Sequence, residues 1–142
     1  MSDAVASGAL TGAERAGATR ILVVDDSRVV RKVARRILEH AGFDVAEAGD
    51  GEQALAACHV ALPDVVLLDW NMPVMNGIDC LRGLRRDFGP DEPSVILCTT
   101  ENGADFIVCA IEAGAQEYIM KPFDDAILIG KLEQLGLTRH RQ

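Results

Sequence analysis

Short runs of consecutive apolar residues alternate along this chain with longer stretches whose apolar positions recur every three or four residues. Ile21-Leu22-Val23-Val24, Val65-Val66-Leu67-Leu68 and Val95-Ile96-Leu97-Cys98 are the clearest runs. Four apolar residues in a row, bounded by turn chemistry, predict a strand buried on both faces. Val45-Ala46-Glu47-Ala48 alternates weakly, as an edge strand does, and residues 116–120 form a more mixed fifth strand. The intervening stretches carry the helical period. Ser27 is the predicted N-cap of the first helix, with Val29, Val33 and Ile37 inward beside Val30, Ala34 and Leu38, and Gly42 closes it. A second helix over residues 52–61 turns Ala54, Leu55 and Cys58 inward, and a third over 77–87 does so with Ile78, Leu81 and Leu84. A fourth over 104–113 presents Phe106, Ile107, Ala110 and Ile111. The last, capped by Asp124 or Asp125, presents Ile127, Leu128, Leu132 and Leu135. Strict strand–helix alternation implies an α/β protein: a parallel sheet with helices on both faces and right-handed crossovers.

Composition narrows the picture. The chain has 142 residues, 49% apolar and 25% charged, which suits one globular domain with a proper core. Residues 1–19 lack apolar period and read as a flexible N-terminal tail, 20–137 as the folded domain, and 138–142 as a short basic tail. No apolar run approaches membrane-spanning length, and residues 1–19 have no basic segment leading into an apolar block. A cytoplasmic protein, off the membrane, is the expectation. A net charge of −8 argues against DNA as a partner. Cys58, Cys80, Cys98 and Cys109 form no CxxC pair and read as small hydrophobes in a reducing compartment. The first helix gathers Arg28, Arg31, Lys32, Arg35 and Arg36 on its outer face. That face reads as solvated, with a docking patch for an acidic partner as the alternative.

The candidate chemistry lies where strands end. In a parallel sheet every strand's C-terminus points the same way, to the rim where such sheets bind ligands. Strand one delivers Asp25 and Asp26, strand three Asp69, strand four Thr99 and strand five Lys121. Three clustered carboxylates repel and call for a cation, and an all-oxygen set favours Mg²⁺ or Mn²⁺. A lysine and a hydroxyl facing that cation would neutralise and hydrogen-bond a phosphoryl group. Asp69 is then the candidate nucleophile, forming an acyl phosphate.

Asp25-Asp26, Asp69-Trp70-Asn71-Met72-Pro73, Thr99 and Lys121-Pro122-Phe123 resemble the response regulator receiver domain of two-component signalling. The likeness runs from Arg20 to Leu137, and Glu101 and Tyr118 bring it nearest to the chemotaxis-type, stand-alone receivers. The resemblance implies a flavodoxin-like (βα)5 three-layer sandwich with strand order 2-1-3-4-5, an order that alternation alone does not give. It implies that Asp69 accepts a phosphoryl group from a histidine kinase or a histidine phosphotransfer protein. Asp26 and Asp69 would bind Mg²⁺ directly, with the Asn71 main-chain carbonyl, and Asp25 would act through a water. Lys121 would pair with the phosphoryl group, and the Lys121–Pro122 bond would be cis. Thr99 and Tyr118 would form the switch, read out by a target protein on helix four, strand five and helix five. Asn71 and Glu101 would tune the lifetime of the phosphorylated form.

The expected protein is thus a monomeric phosphoacceptor, not an enzyme beyond its own phosphorylation and dephosphorylation. No output domain is expected, and the expected output is a motility target, a phosphate sink or a relay. A Mg²⁺-dependent aspartyl phosphatase is disfavoured, because Asn71 stands where a general acid would be needed. A flavodoxin-like cofactor site lacks a phosphate-cradling glycine loop after strand one, where Asp25-Asp26 would repel the phosphate.

Overall fold

β1 (Arg20–Val24), β3 (Val65–Asp69) and β4 (Ser94–Thr99) are the three apolar runs, and every residue of β3 is buried. The computed structural model describes residues 19–101 and 103–137. Both predicted tails thus lie outside the described residues, apart from Thr19. β2 (Asp44–Ala48) and β5 (Glu117–Met120) flank the apolar strands, giving a parallel sheet in the order β2-β1-β3-β4-β5. Helices α1 (Arg28–His40), α2 (Gly51–Val60), α3 (Gly77–Phe88), α4 (Ala104–Ala113) and α5 (Asp125–Gln134) alternate with the strands. This is the flavodoxin-like arrangement expected from the sequence.

Strand alternation sorts the core into two layers. Leu22, Val24, Val66, Leu68, Val95 and Leu97 pack with Ala54, Cys58, Ile78, Leu81 and Leu84 of α2 and α3. Ile21, Val23, Val65, Leu67, Ile96, Cys98 and Ile119 pack with Ala34 and Leu38 of α1 and Leu128 and Leu132 of α5. Side-chain caps fix where most helices begin. Ser27 Oγ accepts from Val30 N at 3.2 Å, Asp50 from Gln53 N at 2.8 Å and Asp124 from Ile127 N at 2.9 Å. Past α1 and α4, Gly42 and Gly114 adopt φ of 98° and 107°, the left-handed turn that glycine takes without penalty.

The inward faces differ from the predicted ones on three helices. Val29 and Val33 are 70% and 51% exposed. The buried stripe of α1 follows Ala34 and Leu38, and Val29 and Val33 lie one residue, about 100°, round the helix from it. The opposite flank carries Arg31 and Arg35, which are not simply solvated. Arg31 pairs with Glu47 of β2 at 3.0 Å, and Arg35 pairs with Glu47 at 2.6 Å and Glu39 at 2.8 Å. On α4 only Ala110 is buried while Phe106 and Ile111 are exposed, and on α5 Ile127 turns outward. No helix among the described residues is long and apolar enough to cross a membrane.

Candidate functional site

The rim is built on backbone that continues the sheet. Asp25 N donates to Ala48 O at 3.2 Å, Trp70 N to Cys98 O at 2.9 Å and Lys121 N to Thr99 O at 2.9 Å. Each bond extends a strand ladder up to or past the residue that carries the chemistry. Asp25 and Asp69 are therefore held on rigid elements, and they are only 4% and 5% exposed, while Asp26 faces solvent. One carboxylate oxygen from each of the three lies within 4.8 Å of the others.

Lys121 reaches into this cluster from the far side of β4. Its Nζ donates to Asp25 Oδ2 at 2.9 Å and to Asp69 Oδ1 at 3.1 Å. The other Asp25 oxygen, Oδ1, accepts from Ser27 N at 2.9 Å, so both Asp25 oxygens are engaged. Asp69 is left with one oxygen that makes no hydrogen bond among the described residues. Burial, and then the Asp25 charge, push the Asp69 carboxyl above the usual range against the opposing pull of Lys121. Burial works against the Lys121 ammonium, but its bonds to Asp25 and the charge of Asp69 outweigh it and raise its pKa.

Three carboxylates against one ammonium leave excess negative charge in a partly dry pocket. The donor set is all oxygen. Cys98 pairs with Asp69 in the β3–β4 register, but burial raises its thiol well above its ordinary range and keeps it protonated. Such a set fits a hard divalent cation and not a thiophilic one. Thr99 is buried at the end of β4, and its Oγ1 accepts from Glu101 N at 2.8 Å. Asn71 lies exposed in the loop after β3, two residues past Asp69. Tyr118 is half-buried on β5.

The loop after β3 is folded tightly back on the strand. Met75 N donates to Pro73 O at 2.7 Å around Val74, whose φ of 70° is strained for a β-branched residue. Gly77 N then donates to Trp70 O at 2.8 Å. A Cβ on Gly77 would collide with the Asp69 main-chain oxygen and lie 2.8 Å from Trp70 Cα. Trp70, next to Asp69, is half-buried, with its ring edge-on to Phe106 at 5.4 Å. Lys121–Pro122 is cis as expected, and Glu92–Pro93 is a second cis bond.

Two contributors lie beyond what the strand-end reading finds. Arg31 donates to the Asp25 main-chain oxygen at 2.7 Å, and Ser27 supplies its amide to the Asp25 carboxylate. The Ser27 cap was visible, but its second use depends on how the loop closes.

Residues 21–133 match the family described as the response regulator receiver domain. The chain is 39% identical over 117 residues to the chemotaxis protein CheY of Pseudomonas aeruginosa, covering 82% of this chain and 94% of that one. It is 45% identical over 113 residues to the DNA-binding response regulator MtrA of Mycobacterium tuberculosis, covering 80% of this chain. It spans about half of that relative's length, 48%. The chemotaxis protein CheY4 of Vibrio cholerae superposes with a TM-score of 0.79 at 31% identity, covering 83% of this chain and 98% of that one.

Proposed function

Because the chain belongs to the response regulator receiver domain family, we propose that it takes a phosphoryl group on Asp69 and signals through a protein-binding surface that this group reshapes. The observation that carries the proposal is the bridge of Lys121 between Asp25 and Asp69, beside an exposed Asp26. It neutralises part of the charge while leaving one Asp69 oxygen free to attack. In the reaction, that oxygen bonds to phosphorus as the phosphorus–nitrogen bond to a donor histidine breaks, and the imidazole keeps the electron pair. The donor is a histidine kinase or a histidine phosphotransfer protein.

Asp25, Asp26, Asp69 and the Asn71 main-chain carbonyl are the groups that would hold Mg²⁺, which when bound supplies positive charge to the phosphoryl oxygens. Lys121 holds a phosphoryl oxygen from the opposite side. Thr99 donates its hydroxyl proton to another, and Tyr118 follows it inward. The surface of α4, β5 and α5 then presents a different face to its target. The folded domain over residues 20–137 is the unit that performs these steps. Likeness to chemotaxis proteins over 94% of a relative's length favours a motility target, and a phosphate sink or relay is the alternative. Aspartyl phosphatase chemistry is not favoured, since the Asn71 amide cannot serve as a general acid.

Trp70, the sole tryptophan, adjoins Asp69 and reports on it. Beryllofluoride with Mg²⁺ is expected to change Trp70 emission in the wild type and not in Asp69→Asn. Unchanged wild-type emission would overturn the proposal.

A further inference from the structure

Tyr118 pairs with Leu97 in the parallel register, so its Cβ points to the sheet face that carries Leu97 and Thr99, the face covered by α3 and α4. Its neighbour Ile119 points to the other face and packs with α5. Lys131 belongs to α5, yet its Nζ stands 5.0 Å from the centre of the Tyr118 ring. The two side chains can meet only round the open edge of β5. The ring is thus drawn to that edge, away from Thr99.

The lysine is itself anchored. Glu117 Oε1 accepts from Lys131 Nζ at 3.1 Å and from Tyr118 N at 3.0 Å. One carboxylate oxygen thus ties the backbone of the tyrosine to the cation that lies over its ring. Both partners are about three-quarters covered, with side chains 24% and 23% exposed, so the contact is less screened than an open surface pair. An ammonium over a tyrosine face attracts it through the ring quadrupole.

We propose that Lys131, anchored by Glu117, holds the Tyr118 ring at the open edge of the sheet and so sets the resting balance of the switch. This rests on the reading of Tyr118 as the switch aromatic. Lys131 is a positioning residue: its ion pair is with Glu117, while Asp25 and Asp69 pair with Lys121. Its removal frees the ring to turn toward Thr99 before any phosphorylation. Since the ring position and the phosphoryl site are linked, whatever favours the turned-in ring also lowers the activator concentration needed.

Tyr118 is the only tyrosine, so ring ¹³C-labelled tyrosine gives a single set of aromatic signals. These are to be followed in the full chain as beryllofluoride is titrated at fixed Mg²⁺, in wild type, Lys131→Met, Lys131→Arg and Glu117→Gln. The wild-type signals should move from a resting to an activated position. Lys131→Met should shift the resting signal part-way toward the activated one and lower the beryllofluoride midpoint about two- to fivefold, the usual worth of one such contact. Glu117→Gln should shift both in the same direction by less. Lys131→Arg, which keeps a cation over the ring, should restore the wild-type values, as a merely structural loss in α5 would not allow. Wild-type signals that move with beryllofluoride while Lys131→Met matches wild type would overturn the clamp. Wild-type signals that ignore beryllofluoride, with Trp70 emission still responding, would remove the switch role of Tyr118 and the clamp with it.

Discussion

At the scale of residues, Lys121 can neutralise only part of the charge that Asp25, Asp26 and Asp69 bring together. The cost falls on Asp69, whose burial and proximity to Asp25 raise its pKa above the ordinary 3.8. The metal-free folded chain therefore binds that proton more readily than the unfolded chain does. The stability due to this group is fully present below pH 3.8 and is lost as pH rises through the raised value. Asp69→Asn removes this slope, so without Mg²⁺ the variant should melt at a higher temperature than wild type at neutral pH, with the gap closing in acid. Thermal denaturation across pH checks this, and an equal gap at every pH would contradict it. Lys121 contributes in a separate window, because its raised pKa makes its stabilisation fade only above pH 10.5. Asp25, Asp26, Asp69, Thr99 and Lys121 could be placed at one rim from the sequence because each lies at the end of a predicted strand or within two residues past it. The amide of Ser27 and the guanidinium of Arg31 were not. Their bonds to Asp25 depend on loop closure, which no periodicity encodes.

At the scale of elements, the loop between β3 and α3 carries the tightest constraint. Gly77 packs its α-carbon against the Asp69 carbonyl, and Val74 holds a positive φ to turn the chain back. Gly77→Ala must push α3 away from the strand end. We expect a loss of about 1–3 kcal/mol, the usual range for overpacking, measured as a lower urea midpoint. An unchanged midpoint would mean that the loop yields without strain. Helix spans were readable from period and caps, but helix faces were less so. Val29 and Val33 fit a helical period as well as Ala34 and Leu38 do, and only the docked orientation of α1 separates them. That orientation is set partly by the pairs of Arg31 and Arg35 with Glu47, contacts between α1 and the strand that follows it, which no periodicity encodes. On α4 the apolar content exceeds what the sheet can cover, so Phe106 and Ile111 remain outside.

At the scale of the whole molecule, alternation of strand and helix fixed the class but not the order of strands. Every βαβ unit has the same local signal whether its second strand lies beside the first or beyond a neighbour. The order β2-β1-β3-β4-β5 became legible only through the family likeness, and it is this order that sets Asp69 on the central strand between Asp25 and Lys121. The central claim is that this arrangement makes Asp69 the phosphoacceptor. Intact-protein mass spectrometry of the chain incubated with Mg²⁺ and a small phosphoryl donor tests it most directly. Wild type should gain the mass of one phosphoryl group, lose it in mild alkali, and gain nothing when Mg²⁺ is chelated; Asp69→Asn should gain nothing. An adduct that persists in Asp69→Asn, or a wild type that never acquires one, would contradict the account.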